Sequence, residues 1–179
     1  ADGAQSVGVL HTDVEQLGLD GLAVSTQKGL LSLYGLGFLF CRRTWADRFH
    51  PASLARFGVD LGDAHEAARG GPSYSLVAGA RRFDLGNYNY PAAIACVRSM
   101  EIIGSLGTKT VETHVTGLAH GLAQGLLDLG LSVAGGEPGP HIGSIVSVGE
   151  FGSGGHDTTD DPRIDSLYRH LTEHGVRLS

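Results

Sequence analysis

The chain has 179 residues, a formal net charge of -6 and two cysteines. An apolar content of 41% with 18% charged residues excludes an intrinsically disordered chain, and two cysteines are too few for a disulfide framework. The acidic balance argues against nucleic acid or an anionic membrane as partner, and no apolar run reaches the ~20 residues that a membrane span needs. We therefore expect a globular, cytoplasmic protein.

Two short apolar runs in the first quarter of the chain predict β-strands. Leu22–Ser25 and Leu36–Cys41 lack alternation of apolar and polar residues, which is typical of strands covered on both faces. A single helical turn is predicted at Val14–Gly18, before the first strand. The segment Phe49–Ala80 has no clear period and contains several glycines and prolines. It is predicted to be mostly loop.

The middle of the chain predicts two helices. The first begins near Pro91, which suits a first helical position, and ends at Gly107. The second begins at about Thr108 and ends at Gly130, a glycine in the C′ position. The apolar residues predicted to share one face of each helix are Ile94, Val97, Ile102 and Leu106 in the first and Val111, Val115, Leu118, Leu122, Leu126 and Leu129 in the second.

The last third of the chain continues the alternation. Short strands are predicted at Leu131–Val133 and Ile145–Val148, with a turn-rich break between them, and a last helix begins at Pro162 and ends at Gly175. Strands and helices that alternate along the chain are typical of the α/β class. A shift in composition near Gly130 indicates that a second, smaller unit begins there.

Two groups of polar residues lie next to apolar runs and are candidates for a chemical role. Asp2 and Gln5 lie three residues apart at the start of the short apolar run Val7–Leu10. Ser25, Gln27 and Lys28 lie at the end of the strand predicted from Leu22 and directly after it. A lysine at the carboxyl end of a parallel strand lies where open α/β sheets bind ligands. Taken alone, Lys28 is a solvated surface lysine, Asp2 a terminal charge and Gln5 a turn residue.

Three motifs, taken in order, resemble the pyridoxal-phosphate segment of class V aminotransferases. That group includes cysteine desulfurases and isopenicillin-N-epimerase-like proteins. The motifs are Asp2–Gly8, Ser25–Lys28 followed by Tyr34–Leu39, and Arg81–Pro91. Asp2 and Lys28 are 26 residues apart, which agrees with the family's interval. The family more often has histidine where this chain has Gln27.

The resemblance implies roles for individual residues. Asp2 matches the carboxylate that keeps the ring nitrogen of pyridoxal 5′-phosphate protonated, and Gln5 matches the residue that binds the ring hydroxyl. Lys28 matches the lysine that forms the Schiff base with the cofactor and later carries a proton at the substrate α-carbon. Ser25 and Gln27 match positions that bind the cofactor phosphate.

The resemblance also implies the architecture and a homodimer. Asn87 matches a loop residue that reaches the cofactor phosphate of the neighbouring subunit, where desulfurases usually have threonine. The implied fold is the α/β fold type I of pyridoxal-phosphate-dependent transferases. Residues 1–107 would be the latter part of its large cofactor domain, and residues 108–179 a connecting helix and part of the small C-terminal domain. Family enzymes have further chain before the aspartate, so we expect a partial chain.

The expected function is that of a pyridoxal-phosphate-dependent enzyme acting on an amino-acid substrate. Transamination, epimerisation and carbon–sulfur lysis all stay open. The alternative is a non-catalytic fragment or interaction module of the same fold, lacking the N-terminal half of the site. His170 and His174 lie four residues apart but have no third ligand, so a solvated helix face is favoured and no metal is expected. Cys41 and Cys96 lie in apolar runs and are predicted to be core residues.

Overall fold

A computed structural model describes residues 1–62, 73–150, 153–154 and 159–178. The chain divides into two compact units, Ala1–Val111 and Glu112–Ser179. Their elements in chain order are β1 (Gly21–Ser25), β2 (Gly37–Cys41), α1 (Arg43–Ala46), β3 (Val59–Asp60), β4 (Ser75–Leu76), a 3-10 helix (Gly79–Phe83), α2 (Tyr90–Leu106), α3 (Thr108–Asp128) and α4 (Pro162–Glu173). The assignment of residues 1–107 and 108–179 to a cofactor domain and a small domain stays a prediction.

The two predicted strands of the first unit form an antiparallel pair. Gly21 of β1 lies opposite Cys41 of β2, and the short strands β3 and β4 form a second antiparallel pair. Coverage on both faces is wrong for β2, since Phe38 is 42% and Leu39 48% exposed. Phe38 and Leu39 point to opposite faces of the strand, so both faces of β2 meet solvent. β2 is also an edge strand, since it pairs with β1 alone among the residues that the structure describes.

The parallel neighbour of β1 is the start of the chain. Asp2 lies opposite Ala23 in a parallel bridge. Backbone hydrogen bonds fix it, because the Gly3 amide donates to the Ala23 carbonyl at 2.8 Å and the Ala23 amide to the Ala1 carbonyl at 3.0 Å. The predicted helical turn follows, where the Leu17 amide donates to the Asp13 carbonyl at 2.9 Å. The first motif therefore lies directly beside the strand that leads into the second.

The core of the first unit forms between β1 and α2. Its buried members are Leu22, Val24, Leu30, Cys96 and Ile103. The predicted ends of α2 are confirmed, since Pro91 lies in its first turn and Gly107, with φ 83°, follows its last residue. The core prediction is confirmed for Cys96, whereas Cys41 is half-buried.

The predicted core face is wrong for α2 and right only in part for α3, where Leu126 is half-buried against the core of the second unit. The α2 residues Ile94, Val97, Ile102 and Leu106 are 56–69% exposed. The buried side chains of α2 are Ala92, Cys96 and Ile103, and those of α3 are Ala119 and Ala123 rather than the leucines at 118 and 122. The reason is that apolar residues surround α2, so their period does not single out one face, and small alanines let α3 approach its neighbours closely.

The second unit has a small core of its own. Ala119, Ala123, Val133 and Ile142 are buried together. The two strands predicted there reduce to a single antiparallel bridge between Val133 and Val148. α4 is confirmed, with Asp161 accepting the Arg163 amide at its start and Gly175 at φ 80° after its end. Within the described ranges, no helix has both the length and the apolar character needed to cross a membrane.

Candidate functional site

A cleft of about 1080 Å³ lies in the first unit, between the β1–β2 pair and the segment that precedes α2. Asp2, Ser25 and Asn87 line it. Gln5, Gln27 and Lys28 do not line it, although Gln27 and Lys28 belong to the loop that leaves β1 beside the cleft. The structure thus brings half of the predicted site together and leaves the other half next to it. The roles of all six residues stay predictions.

One carboxylate oxygen of Asp2 is held by a hydrogen bond, and the other is available to a ligand. Its Oδ1 accepts the Ala4 amide at 2.8 Å, an Asx-type turn that fixes the side chain. Within the described ranges its second carboxylate oxygen has no hydrogen-bond partner. The bridge to Ala23 places Asp2 about two strand residues, or ~7 Å, from Ser25. A hydrogen-bond acceptor and a hydroxyl therefore lie on one wall of the cleft.

The other predicted site residues share one property. Their side chains have no hydrogen-bond or ion-pair partner among the residues that the structure describes, and these are Gln5, Ser25, Gln27, Lys28 and Asn87. The neighbouring Thr26 is the opposite case, because it is fully buried and its hydroxyl lies 3.1 Å from the Leu36 carbonyl. Buried polar groups in a fold are normally paired. The residues that the fold leaves unpaired are those available to a ligand.

Lys28 lies in the loop between β1 and β2, residues 26–36, here called the Lys28 loop. Thr26 closes the base of this loop. The Thr26 amide donates to the Leu36 carbonyl at 3.2 Å, and the Ser32 amide donates to the Thr26 carbonyl at 2.9 Å. Lys28 itself is exposed. The sequence carries little sign of this role, since a threonine between two site residues looks like another ligand contact.

Two glycines let the Lys28 loop touch the turn after Asp2. A Cβ on Gly29 would lie 2.3 Å from the Val7 carbonyl oxygen, and a Cβ on Gly8 would lie 2.3 Å from the Gly29 carbonyl oxygen. Gly8 also has φ 93°, a conformation that favours glycine. The backbones of the two motifs are therefore in direct contact, and only glycine permits that approach.

Gly29→Ala is expected to destabilise the chain by ~2–3 kcal/mol, because the added methyl group forces the loop away from Val7. Gly121→Ala is the matched control, since a Cβ there meets no atom within 4 Å and lies in the interior of α3. Alanine in a helix interior is ~1 kcal/mol more favourable than glycine, so the control is expected to gain stability. Urea unfolding measures both, and equal stabilities of the two variants would contradict the close approach.

Arg82 lies behind the opposite wall of the cleft and stabilises the segment that forms it. It is 8% exposed, and its guanidinium donates to the carbonyls of Asp47 at 2.9 Å, Phe49 at 3.2 Å and Val77 at 3.2 Å. Its Nη2 also lies 3.2 Å from Asp47 Oδ1. The Gly79 amide, which donates to the same carboxylate, and the Arg43 guanidinium hold the pKa of Asp47 below its ordinary 3.8. These bonds join the chain after α1 to the 3-10 helix from which the wall begins.

Arg82→Met is expected to lower the free energy of unfolding by ~3 kcal/mol, because it removes the buried guanidinium that donates to the carbonyls of Asp47, Phe49 and Val77. Arg81→Met is the control, since Arg81 is adjacent in sequence but exposed. Urea unfolding followed by circular dichroism measures the difference. A loss of similar size in both variants would show that the buried hydrogen bonds are not its cause.

The wall at residues 80–89 also carries charge. Arg81 and Asp84 both line the cleft, as does Tyr88. Partial burial raises the pKa of the Tyr88 phenol, and the hydrogen bond to the Asp84 carboxylate raises it further, while Arg81 opposes both. Among the described lining residues Arg81 is the cation. The cleft therefore has the Asp2 carboxylate on one wall, and on the other wall the Arg81 cation with amide donors and the Asp84 carboxylate.

Two residues that shape this wall, one behind it and one within it, were not predicted from the sequence. Arg82 belongs to a motif quoted above but gives no sign of burial, since arginine is rarely buried. Asn89 lines the cleft, and its Oδ1 caps α2 by accepting the Ala92 amide at 3.2 Å. An asparagine directly before a helix start is a capping signal, so Asn89 was open to prediction.

The histidine pair on α4 contributes nothing to a metal site in the described ranges. The rings of His170 and His174 lie 4.1 Å apart between centroids, and His174 Nδ1 lies 2.8 Å from the His170 carbonyl oxygen. No group of three or more His, Cys, Asp or Glu residues within those ranges is placed to hold a metal ion.

Comparison with known sequences gives one family. The model of the aminotransferase class-V family matches residues 1–160. The uncharacterized aminotransferase YcbU of Bacillus subtilis (strain 168) is 30% identical over 145 residues, which cover 81% of this chain and 37% of that protein. A probable cysteine desulfurase of Pyrococcus abyssi is 30% identical over 128 residues, 72% of this chain and 30% of that protein. The chain spans about a third of the length of these curated relatives.

Solved structures confirm the predicted fold. The apo cysteine desulfurase of Thermococcus onnurineus superposes with a TM-score of 0.70 at 22% identity, covering 98% of this chain and 40% of that chain. The cystine C–S lyase C-DES, in complex with its reaction product cysteine persulfide, gives 0.73 at 20% identity, covering 99% of this chain and 43% of its own. A C-DES variant with glycine covalently linked to its pyridoxal-phosphate cofactor gives 0.75. The α/β architecture is that of fold type I.

Proposed function

The chain belongs to the aminotransferase class-V family. We propose that it forms part of a pyridoxal-phosphate-dependent enzyme that acts on an amino acid. Pyridoxal 5′-phosphate is the cofactor of this family, as the resemblance of the three motifs implied. The observation that carries the proposal is the cleft at which Asp2, Ser25 and Asn87 meet. Lys28 belongs to the loop that leaves β1 beside that cleft.

The residues present fit this cofactor. A protonated ring nitrogen calls for a carboxylate, and Asp2 has an oxygen without a partner in the described ranges. Phosphate oxygens call for hydrogen-bond donors, which Ser25, Gln27 and Asn87 supply as one hydroxyl and two amides. A cleft of about 1080 Å³ is large enough for a ligand of this size with a substrate beside it.

Each residue has a proposed task. Bound pyridoxal phosphate supplies an electron sink for negative charge that develops at a substrate α-carbon. Asp2 keeps the ring nitrogen protonated, and Gln5 donates to the ring hydroxyl. The Lys28 amine would hold the cofactor and would accept and return the proton of the substrate α-carbon.

Transamination, epimerisation and carbon–sulfur lysis are all compatible with these tasks. The relatives include both aminotransferases and cysteine desulfurases by name. Cys96 is buried in the core, Cys41 is half-buried in β2, and neither lines the cleft. We therefore favour a reaction in which neither of these cysteines acts as nucleophile.

The alternative function is a non-catalytic interaction module of the same fold. One observation favours it, namely the exposed apolar side chains along α2, including Ile94, Val97 and Ile102. Such a surface suits contact with another chain, and a homodimer belongs to either function. Light scattering at several protein concentrations measures the oligomeric state.

A cofactor titration separates the two functions. Pyridoxal phosphate is added up to millimolar concentration, and the absorbance of lysine-linked cofactor is recorded. The enzyme proposal expects a saturable absorbance change, with pyridoxal lacking the phosphate binding at least ~10-fold more weakly, because phosphate contacts are lost. Linear, non-saturating behaviour with both compounds would favour the interaction module.

A further inference from the structure

Three side-chain hydrogen bonds join the Lys28 loop to α2. They run from Asn89 Nδ2 to the Tyr34 carbonyl (3.0 Å), from Ser32 Oγ to the Ala92 carbonyl (3.1 Å) and from Ser99 Oγ to the Leu31 carbonyl (3.1 Å). The Ser99 hydroxyl shares its one proton between Leu31 and the Ala95 carbonyl of its own helix, which lies 2.9 Å away. The helix residues involved extend from its cap into its third turn. The loop is therefore held along its length by one rigid element and not only at its base.

The loop conformation needs this support. Leu31 has φ 52°, in the left-handed region that residues other than glycine rarely adopt. Such a conformation persists only where its surroundings determine it. The Leu31 amide donates to the Lys28 carbonyl at 2.9 Å, and the Leu31 carbonyl lies within hydrogen-bond reach of Ser99. Both polar groups of the strained residue are thus engaged, one by Lys28 and one by α2.

Asn89 links the same loop to the cleft. Its Oδ1 caps α2, its Nδ2 donates to the loop, and the residue lines the cleft. An amide side chain supplies an acceptor and a donor on two separate atoms. Asparagine here therefore does more than a helix cap requires.

We propose that α2 positions Lys28, with Asn89, Ser32 and Ser99 as positioning residues that hold the loop in one conformation. The inference rests on the proposed function, since it is the lysine amine whose placement matters. A loop held in a single conformation presents its amine to one place beside the cleft, whereas a loosened loop spreads the amine over many places. Catalysis is sensitive to misplacement of about 1 Å, so the three bonds affect rate more than fold.

Two substitutions each remove one contact between the loop and α2. The backbone hydrogen bonds and the cap of the helix stay in place, although Ser99→Ala also removes the side-chain bond to the Ala95 carbonyl. Asn89→Ser keeps an acceptor that caps α2, because serine caps as well as asparagine, but it has no amide N–H for the Tyr34 carbonyl and adds no charge to the cleft. Ser99→Ala removes the hydroxyl beside the Leu31 carbonyl. Ser105→Ala is the matched control, since Ser105 also lies on α2 and its hydroxyl bonds only the Ile102 carbonyl, 2.8 Å away, within the described ranges.

The experiment measures the ligand-free chain first. Hydrogen exchange of the peptide covering residues 27–36, and trypsin cleavage after Lys28, are expected to become ~5-fold faster in Asn89→Ser and Ser99→Ala, with melting temperature nearly unchanged. Ser105→Ala is expected to behave as the wild type. Rates in all three variants equal to the wild-type rate would overturn the inference, as would acceleration spread evenly over the whole chain.

The second measurement adds pyridoxal phosphate and borohydride. Slower covalent capture on Lys28 in the two variants, with equal cofactor affinity, supports positioning of the amine. Unchanged capture despite faster exchange would overturn it. If the wild-type chain captures no cofactor on Lys28, the proposed function fails. The exchange and cleavage rates then still decide whether α2 holds the loop.

Discussion

Borohydride reduction in the presence of pyridoxal phosphate is expected to fix the cofactor on Lys28, and Lys28→Arg is expected to abolish that capture. The chain contains two lysines, Lys28 and Lys109, so peptide mapping by mass spectrometry has two lysine sites to separate from each other and from the amine of Ala1. Arginine keeps the positive charge, but its guanidinium is never deprotonated in proteins and does not act as the amine nucleophile. Loss of covalent capture therefore reports the amine and not the charge.

Turnover is expected to fall at least ~10³-fold in the same variant, because the lysine also moves the proton of the α-carbon. Exchange of the α-hydrogen of amino acids with deuterium is the suitable measurement, since transamination, epimerisation and carbon–sulfur lysis all begin by removing that proton. Lys109→Arg is the matched control and is expected to retain capture and exchange. Capture on Lys109 in the wild-type chain would contradict the assignment of Lys28.

The local pattern predicted most elements but not the side chains that they bury. β1, β2, α2 and α4 were open to prediction because turn residues, prolines and glycines mark their ends. The buried face of α2 was not, because its apolar residues point in all directions and tertiary packing chose Cys96 and Ile103. The same holds for α3, where packing chose Ala119 and Ala123 over larger leucines.

The candidate site was likewise predicted only in part, in its residues but not in their arrangement. The motifs predicted Asp2, Ser25 and Asn87, but only long-range pairing brings them to one cleft. The bridge between Asp2 and Ala23 joins residues 21 apart, and no local pattern fixes that register. The hydrogen bonds of Arg82 to Asp47 and Phe49 span 35 and 33 residues. Burial of an arginine depends on carbonyl groups that the sequence does not place.

Asp2→Asn is expected to retain the cofactor and to lose catalysis by ~10²–10⁴-fold. Asparagine is nearly isosteric and keeps an acceptor for the Ala4 amide, 2.8 Å away in the native turn, so the local fold is preserved. A neutral amide no longer favours the protonated ring nitrogen, which makes the cofactor a poorer electron sink. Affinity is expected to change less than tenfold, measured by the absorbance titration, while α-hydrogen exchange measures the catalytic loss.

The control for Asp2→Asn is Asp84→Asn, since Asp84 is another carboxylate that lines the same cleft. Asp84 lies on the opposite wall and lowers the acidity of the Tyr88 phenol, so its loss is expected to lower that pKa while leaving α-hydrogen exchange within ~5-fold of the wild-type rate. Equal losses in the two variants would mean that the cleft needs negative charge in general, not a carboxylate at the ring nitrogen. Near-normal exchange in Asp2→Asn would show that Asp2 does not bind the ring nitrogen, whatever the capture on Lys28.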